Sequence, residues 1–146
     1  MEVCETMPMI FVEGPPGLSD AAKKKMVEDV TRAADEAYRV PDVRVWLREY
    51  APDSYAQDGA LGAAVRPIAV LEVPELGSIE AKQTLVARLN AALAAAYDGI
   101  ADTNEIMVFL NGYPLDQVGW AGRMQSDRPE MVRAAKRLAE ATSERR

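Results

Sequence analysis

Two stretches of this chain repeat each other. Read from Pro8 and again from Pro67, they stay in register without a gap for about 30 residues. The run Pro8 to Glu13 (PMIFVE) answers to Pro67 to Glu72 (PIAVLE), and the matches continue through Ser19 with Ser78, Lys23 with Lys82, Val27 with Val86 and Tyr38 with Tyr97. A duplicated chain has to bury the same apolar face twice. The economical solution is one sheet assembled from two like halves around a pseudo-twofold axis.

Each half reads as strand, helix, strand. Ser19 and Ser78 are predicted helix N-caps, with Asp20 and Glu80 in the following first turns, where a carboxylate is favoured by the helix dipole. Met26, Val30, Ala33, Ala34 and Ala37 make one apolar stripe at helical spacing, and Leu85, Leu89, Leu93 and Ala96 make the other. Second strands are predicted over 43–50 and 106–113. The second half carries four extra residues before its strand, around Asp98 to Ala101. The expected fold is α/β (α+β): tandem β-α-β repeats forming a mixed four-stranded sheet with two helices on one face, plus a C-terminal helix. One domain is expected over 1–146, divided into an extension (1–7), a first repeat (8–64, with Gly59 to Ala64 as the link), a second repeat (65–125) and a closing segment (126–146). Pro129 suits the first turn of that last helix, predicted to about Thr142 with a thin stripe of Val132, Ala135 and Leu138.

At 146 residues and 49% hydrophobic, the chain has apolar content for a substantial core. Its formal charge of −6, from 23 acidic and 17 basic residues, argues against nucleic-acid binding, which needs a basic face. No apolar run approaches a membrane span and no signal pattern opens the chain, so a cytoplasmic location is expected. One cysteine (Cys4) and no histidine exclude an internal disulfide and any histidine-paired nucleophile. A metal site would have to be built from carboxylates alone, and no metal or cofactor is expected. Proton transfer near neutral pH then falls to a shifted carboxylate, a shifted lysine or an α-amine.

Strand alternation separates the halves. In 43–50, Val43, Val45 and Leu47 face one way and Arg44, Trp46, Arg48 and Tyr50 the other. In 106–113, Ile106, Val108 and Leu110 keep the apolar face, opposite Met107, Phe109, Asn111 and Tyr113. Two arginines of the first half have become methionine and asparagine in the second. Arginine suits a carboxylate through its planar donor fork, so the half retaining Arg44 and Arg48 is the candidate anion site; the alternative is a merely solvated strand face.

These motifs resemble the tautomerase superfamily, whose members are built from β-α-β units and use a catalytic N-terminal proline. The first half is similar to 4-oxalocrotonate tautomerase from Pro8 through Gly59, and the tandem repeat to fused members that assemble as trimers. The run Val108 to Asn111, followed by Val118, Gly119 and Trp120, resembles the corresponding part of macrophage migration inhibitory factor, as does Met7-Pro8-Met9. The resemblance implies that Pro8 is general acid and base and that Arg44 binds a carboxylate or developing oxyanion. It implies that Arg48, Tyr55, Phe109 and Asn111 contact a small carbonyl or carboxylate substrate, and that the protein is a homotrimer. Leu18 stands where the family has a clamping arginine, and Phe109 where one branch has a tyrosine. Pro74, Gly77 and Trp120 replace residues that hydrolytic dehalogenation requires.

Six residues precede Met7-Pro8. While they remain attached, the Pro8 nitrogen is an amide without a basic lone pair, and Glu2 disfavours removal of Met1. If Pro8 is the first residue, its secondary amine can shuttle a proton. Three readings therefore stand: an isomerase acting through Pro8 and Arg44; a masked-proline member that binds or transforms a small carbonyl compound without the amine; and a ferredoxin-like small-molecule-binding domain, which shares the same element order.

Overall fold

The computed structural model describes residues 8–39, 42–76 and 78–143; the predicted N-terminal extension, with Cys4 and Met7, lies outside the described residues, as does Gly77. Strand β1 (Met9–Gly14) leads to helix α1 (Asp20–Tyr38) and strand β2 (Arg44–Glu49). A short hairpin follows, β3 (Ala56–Gln57) with β4 (Ala60–Leu61). The second half repeats the order as β5 (Ile68–Pro74), α2 (Ile79–Ala96), β6 (Met107–Tyr113) and a hairpin of β7 (Gly119–Trp120) with β8 (Arg123–Met124). Helix α3 (Pro129–Ser143) closes the chain.

The helices begin where the caps predict. The Ser19 hydroxyl accepts from the Ala22 amide at 3.1 Å, and Ser78 accepts from Ala81 at 3.3 Å. Helix α1 stops at Arg39, whose left-handed conformation (φ 55°) turns its amide back onto the Asp35 carbonyl.

The four long strands form one mixed sheet in the order β2-β1-β5-β6. Strands β1 and β2 are parallel, as are β5 and β6, while β1 and β5 meet antiparallel at the centre. Phe11 sits opposite Val70, its own repeat mate, so the pseudo-twofold axis passes between these two residues. Met9 pairs with Arg44 and Ile68 with Met107, which absorbs the four extra residues in the loop ahead of β6. Those residues wind a turn in which the Ile100 and Ala101 amides both return to the Tyr97 carbonyl.

Helices α1 and α2 pack against each other over one sheet face. The core pairs repeat mates across the axis: Met26 with Leu85, Val30 with Leu89, Ala34 with Leu93 and Tyr38 with Tyr97 are all buried, as are Ile10, Val12, Ala69, Leu71 and Val73 beneath them. The halves are not identical inside. Gly14 occupies the position of Val73, and a Cβ on Gly14 would stand 2.7 Å from the Tyr97 hydroxyl oxygen. A side chain at 14 is therefore excluded by the tyrosine ring that fills its place.

The Gly59–Ala64 link contains β4: β3 and β4 are closed by Asp58 and Gly59, both at positive φ (51° and 81°), a two-residue turn that matches strand twist. The second half repeats this turn at Ala121 and Gly122 (53° and 81°), so the duplicated unit extends through a hairpin that simple residue matching does not reach. Among the described side chains of α3, Leu138 is buried and Ala135 half-buried as the stripe predicts, but Val132 is exposed and its neighbour Met131 is buried instead, which rotates the start of the buried face by one residue.

Candidate active site and the uncovered sheet face

Strand alternation leaves the opposite sheet face uncovered by any described helix, and register arranges its side chains in three rows. The first row runs Arg44, Met9, Glu72, Asn111; the second Trp46, Phe11, Val70, Phe109; the third Arg48, Glu13, Ile68, Met107. Trp46, Phe109 and Met107 are each more than 40% exposed, a large apolar content for an open surface.

Pro8 is buried at the head of β1. Its carbonyl accepts from the Arg44 amide at 3.1 Å, so a backbone bond ties the proline to the strand that carries the arginine. The Arg44 guanidinium meets the Asp42 carboxylate with two nitrogens, each at 3.3 Å. The pair is half-exposed, so water screens it and the donors remain available to a ligand. Asn111 lies in the same row but two strands beyond Met9, roughly 10 Å away at normal strand spacing, and donates to Glu72 at 2.7 Å.

Arg48 lies four residues along β2 from Arg44, about 13 Å at strand rise. It stacks over the Phe11 ring at 4.6 Å and reaches the Glu13 carboxylate at 3.7 Å. Phe11 in turn stacks with Trp46, ring centroids 6.3 Å apart. Within one protomer, then, Pro8 and Arg44 are brought together. Asn111 shares their row at a distance, Phe109 occupies the middle row, and Arg48 and Tyr55 belong to the other end of the sheet.

That other end holds features that residue patterning did not single out. A cavity of about 510 Å³ opens beside Pro67 and is lined by Glu13, Tyr50, Tyr55, Arg66, Ile68 and Met107, among others. The Tyr50 hydroxyl donates to Glu13 at 2.5 Å, and this bond raises the tyrosine pKa because ionisation would remove the donated proton beside a carboxylate. Arg66 pairs with Glu105 at 2.5 Å. Glu105 precedes Met107 by two residues, as Asp42 precedes Arg44, so the acid is kept while its cationic partner comes from the segment ahead of β5. The repeated glutamates at 13 and 72 were the available signal for this end; Arg66 has no counterpart in the repeat and carried none.

No protein-family model and no curated protein matches the chain. Solved structures do. It is similar to Pt0534 inactivated by 2-oxo-3-pentynoate (24% identity, 82% of this chain and 98% of that one, TM-score 0.69). It is also similar to a fused 4-OT symmetric trimer (28%, 80% and 94%, 0.62) and to Leishmania major MIF2 (18%, 82% and 99%, 0.62). A duplicated β-α-β sheet with paired helices on one face defines a class shared by all three. The fold of this chain is that of the tautomerase superfamily. Among the described residues, no helix is long and apolar enough to cross a membrane.

Proposed function

We propose that this chain, in the form whose first residue is Pro8, is a tautomerase-like isomerase that moves a proton between carbon and oxygen of a small carbonyl or carboxylate compound. The observation that carries this is the bond from the Arg44 amide to the Pro8 carbonyl at 3.1 Å, which keeps proline and guanidinium on adjacent strands.

A secondary amine at that position takes a proton from the carbon next to the carbonyl and becomes an ammonium. The carbon–carbon double bond forms, negative charge gathers on the carbonyl oxygen, and Arg44 stabilises it. Returning the proton to oxygen completes the enol; the reverse order gives the ketone. The Arg44 cation on the neighbouring strand disfavours the charged form of such an amine.

The working form is a homotrimer in this reading. Structurally similar fused 4-OT chains are described as trimers, and the uncovered face with Trp46, Phe11 and Phe109 supplies apolar surface to bury between subunits. Phe109 and Asn111 are the substrate-contacting candidates of this reading, whereas Arg48 and Tyr55 lie at the other end of the sheet and are left outside it.

The test compares the 146-residue chain with a protein begun at Pro8, both verified by intact mass, using enol-to-keto conversion of phenylpyruvate. Turnover is expected only in the trimmed protein and is expected to fall about 100-fold or more in its Pro8→Ala version. Equal rates for the trimmed protein and that variant would remove the proline mechanism.

A further inference from the structure

We propose that the cavity beside Pro67 is a second, non-catalytic binding site for an uncharged, ring-sized molecule bearing a hydroxyl and a carbonyl group. Its volume, about 510 Å³, falls within the range of small-molecule sites. Val65, Ile68 and Met107 supply apolar wall, and Tyr50 and Tyr55 add aromatic surface. The Pro67 nitrogen is peptide-bonded to Arg66 and has no basic lone pair, so the site lacks the acid–base group proposed for its pseudo-symmetric counterpart.

The charge balance selects the ligand class. Glu13 faces Arg48 at 3.7 Å and holds the Tyr50 hydroxyl, while Arg66 is matched by Glu105 at 2.5 Å. Each lining charge already has its counter-charge. A charged ligand would enter without one and lose its hydration uncompensated. Hydrogen-bonding capacity nonetheless remains. A carboxylate has about four acceptor sites and a guanidinium five donors, so Glu13 can take a ligand hydroxyl and Arg66 can donate to a ligand carbonyl. The first-half counterpart differs: Arg44 stands where the cavity has Met107, so a guanidinium takes the place of part of the apolar wall.

The test uses the full chain carrying Pro8→Ala, so that its outcome is independent of the proposed isomerase. Titration calorimetry at pH 7 with 4-hydroxybenzamide as probe is expected to show one molecule bound per chain. The isosteric anion 4-hydroxybenzoate and the cation 4-hydroxybenzylamine should each bind about tenfold or more weakly. Ser54, exposed in the turn that rims the cavity, is the place to fill it: Ser54→Trp should weaken the probe at least tenfold with the circular dichroism spectrum unchanged. Nuclear Overhauser contacts from the probe ring to the Met107 and Ile68 methyl groups provide a readout that needs no variant. No binding, equal binding of the benzoate, or a bound probe without those contacts would each overturn the proposal.

Discussion

The two ends of the central sheet began as copies and now carry different chemistry. At the Pro8 end, Arg44 sits beside the proline with Asp42 as an exposed partner. At the Pro67 end, the equivalent of Arg44 is Met107, the acid persists as Glu105, and the cation arrives from Arg66 on the strand-opening segment. One end sets an arginine on the strand beside its proline, and the other sets a methionine there and an arginine–glutamate pair among the residues lining a cavity. Duplication preserves the frame because the core needs both halves. It leaves the uncovered face free to diverge, because no described helix packs there.

The largest expected effect tests that division directly. In a protein begun at Pro8, Pro8→Ala should cost at least about 100-fold in phenylpyruvate turnover, whereas Pro67→Ala should change it by no more than about twofold. Comparable losses would mean the two prolines have not separated in role.

Next comes the shared core, where the halves should respond alike. Leu89 and Val30 are repeat mates, both fully buried. Leu89→Ala is expected to lower unfolding free energy by about 3 kcal/mol and Val30→Ala by about 2 kcal/mol, in urea titrations followed by circular dichroism. A near-zero value for either would show that half to be loosely packed.

The glycines sharpen the comparison further. Gly14→Ala drives a methyl into Tyr97, with two ring carbons and the hydroxyl oxygen within 2.9 Å, and should destabilise by about 1–3 kcal/mol. Gly112→Ala meets the Glu75 Cγ at 2.9 Å, a carbon of an exposed side chain that can turn into solvent, and should cost less than 1 kcal/mol. Reversal of that order in thermal melts would contradict the packing described.

The smallest effect is nil at neutral pH and surfaces only in alkali. Burial raises the pKa of both repeat tyrosines, Tyr97 to about 12 and Tyr38 further. The unfolded tyrosine ionises near pH 10, so the stabilising contribution is complete below that pH. It is lost progressively as pH climbs from about 10 through 12. Absorbance at 295 nm should show these two tyrosines still protonated at about pH 11, and urea midpoints should fall across the same interval. Full ionisation at about pH 10.5 would contradict their burial.

Much of this was legible in the chain. The matched serines marked both helix starts because a cap is a local hydrogen bond, satisfied within three residues. The stripes of α1 and α2 marked their buried faces because helical period is intrinsic. The hairpins were less visible. Asp58-Gly59 is a recognisable turn pair, but Ala121-Gly122 is not, and it adopts the same positive φ values because the strands on either side impose them. In helix α3 Leu138 was legible as a buried position, whereas the choice of Met131 over Val132 at the other end was not, because both are apolar and adjacent and the local pattern does not rank them.

Sequence alone determined the duplication, the element order, the caps, the core residues and the loss of Arg44 and Arg48 equivalents in the second half. Those follow from periodicity and residue chemistry, which act over a few positions. Only the tertiary structure decided which residues share a row: Arg44 beside Pro8, Asn111 two strands away, Arg48 with Glu13. Only it revealed that Arg66 restores a cation beside Glu105 and that a cavity opens at Pro67. Such groupings depend on the register between strands, which is set by hydrogen bonds joining residues that local pattern cannot connect.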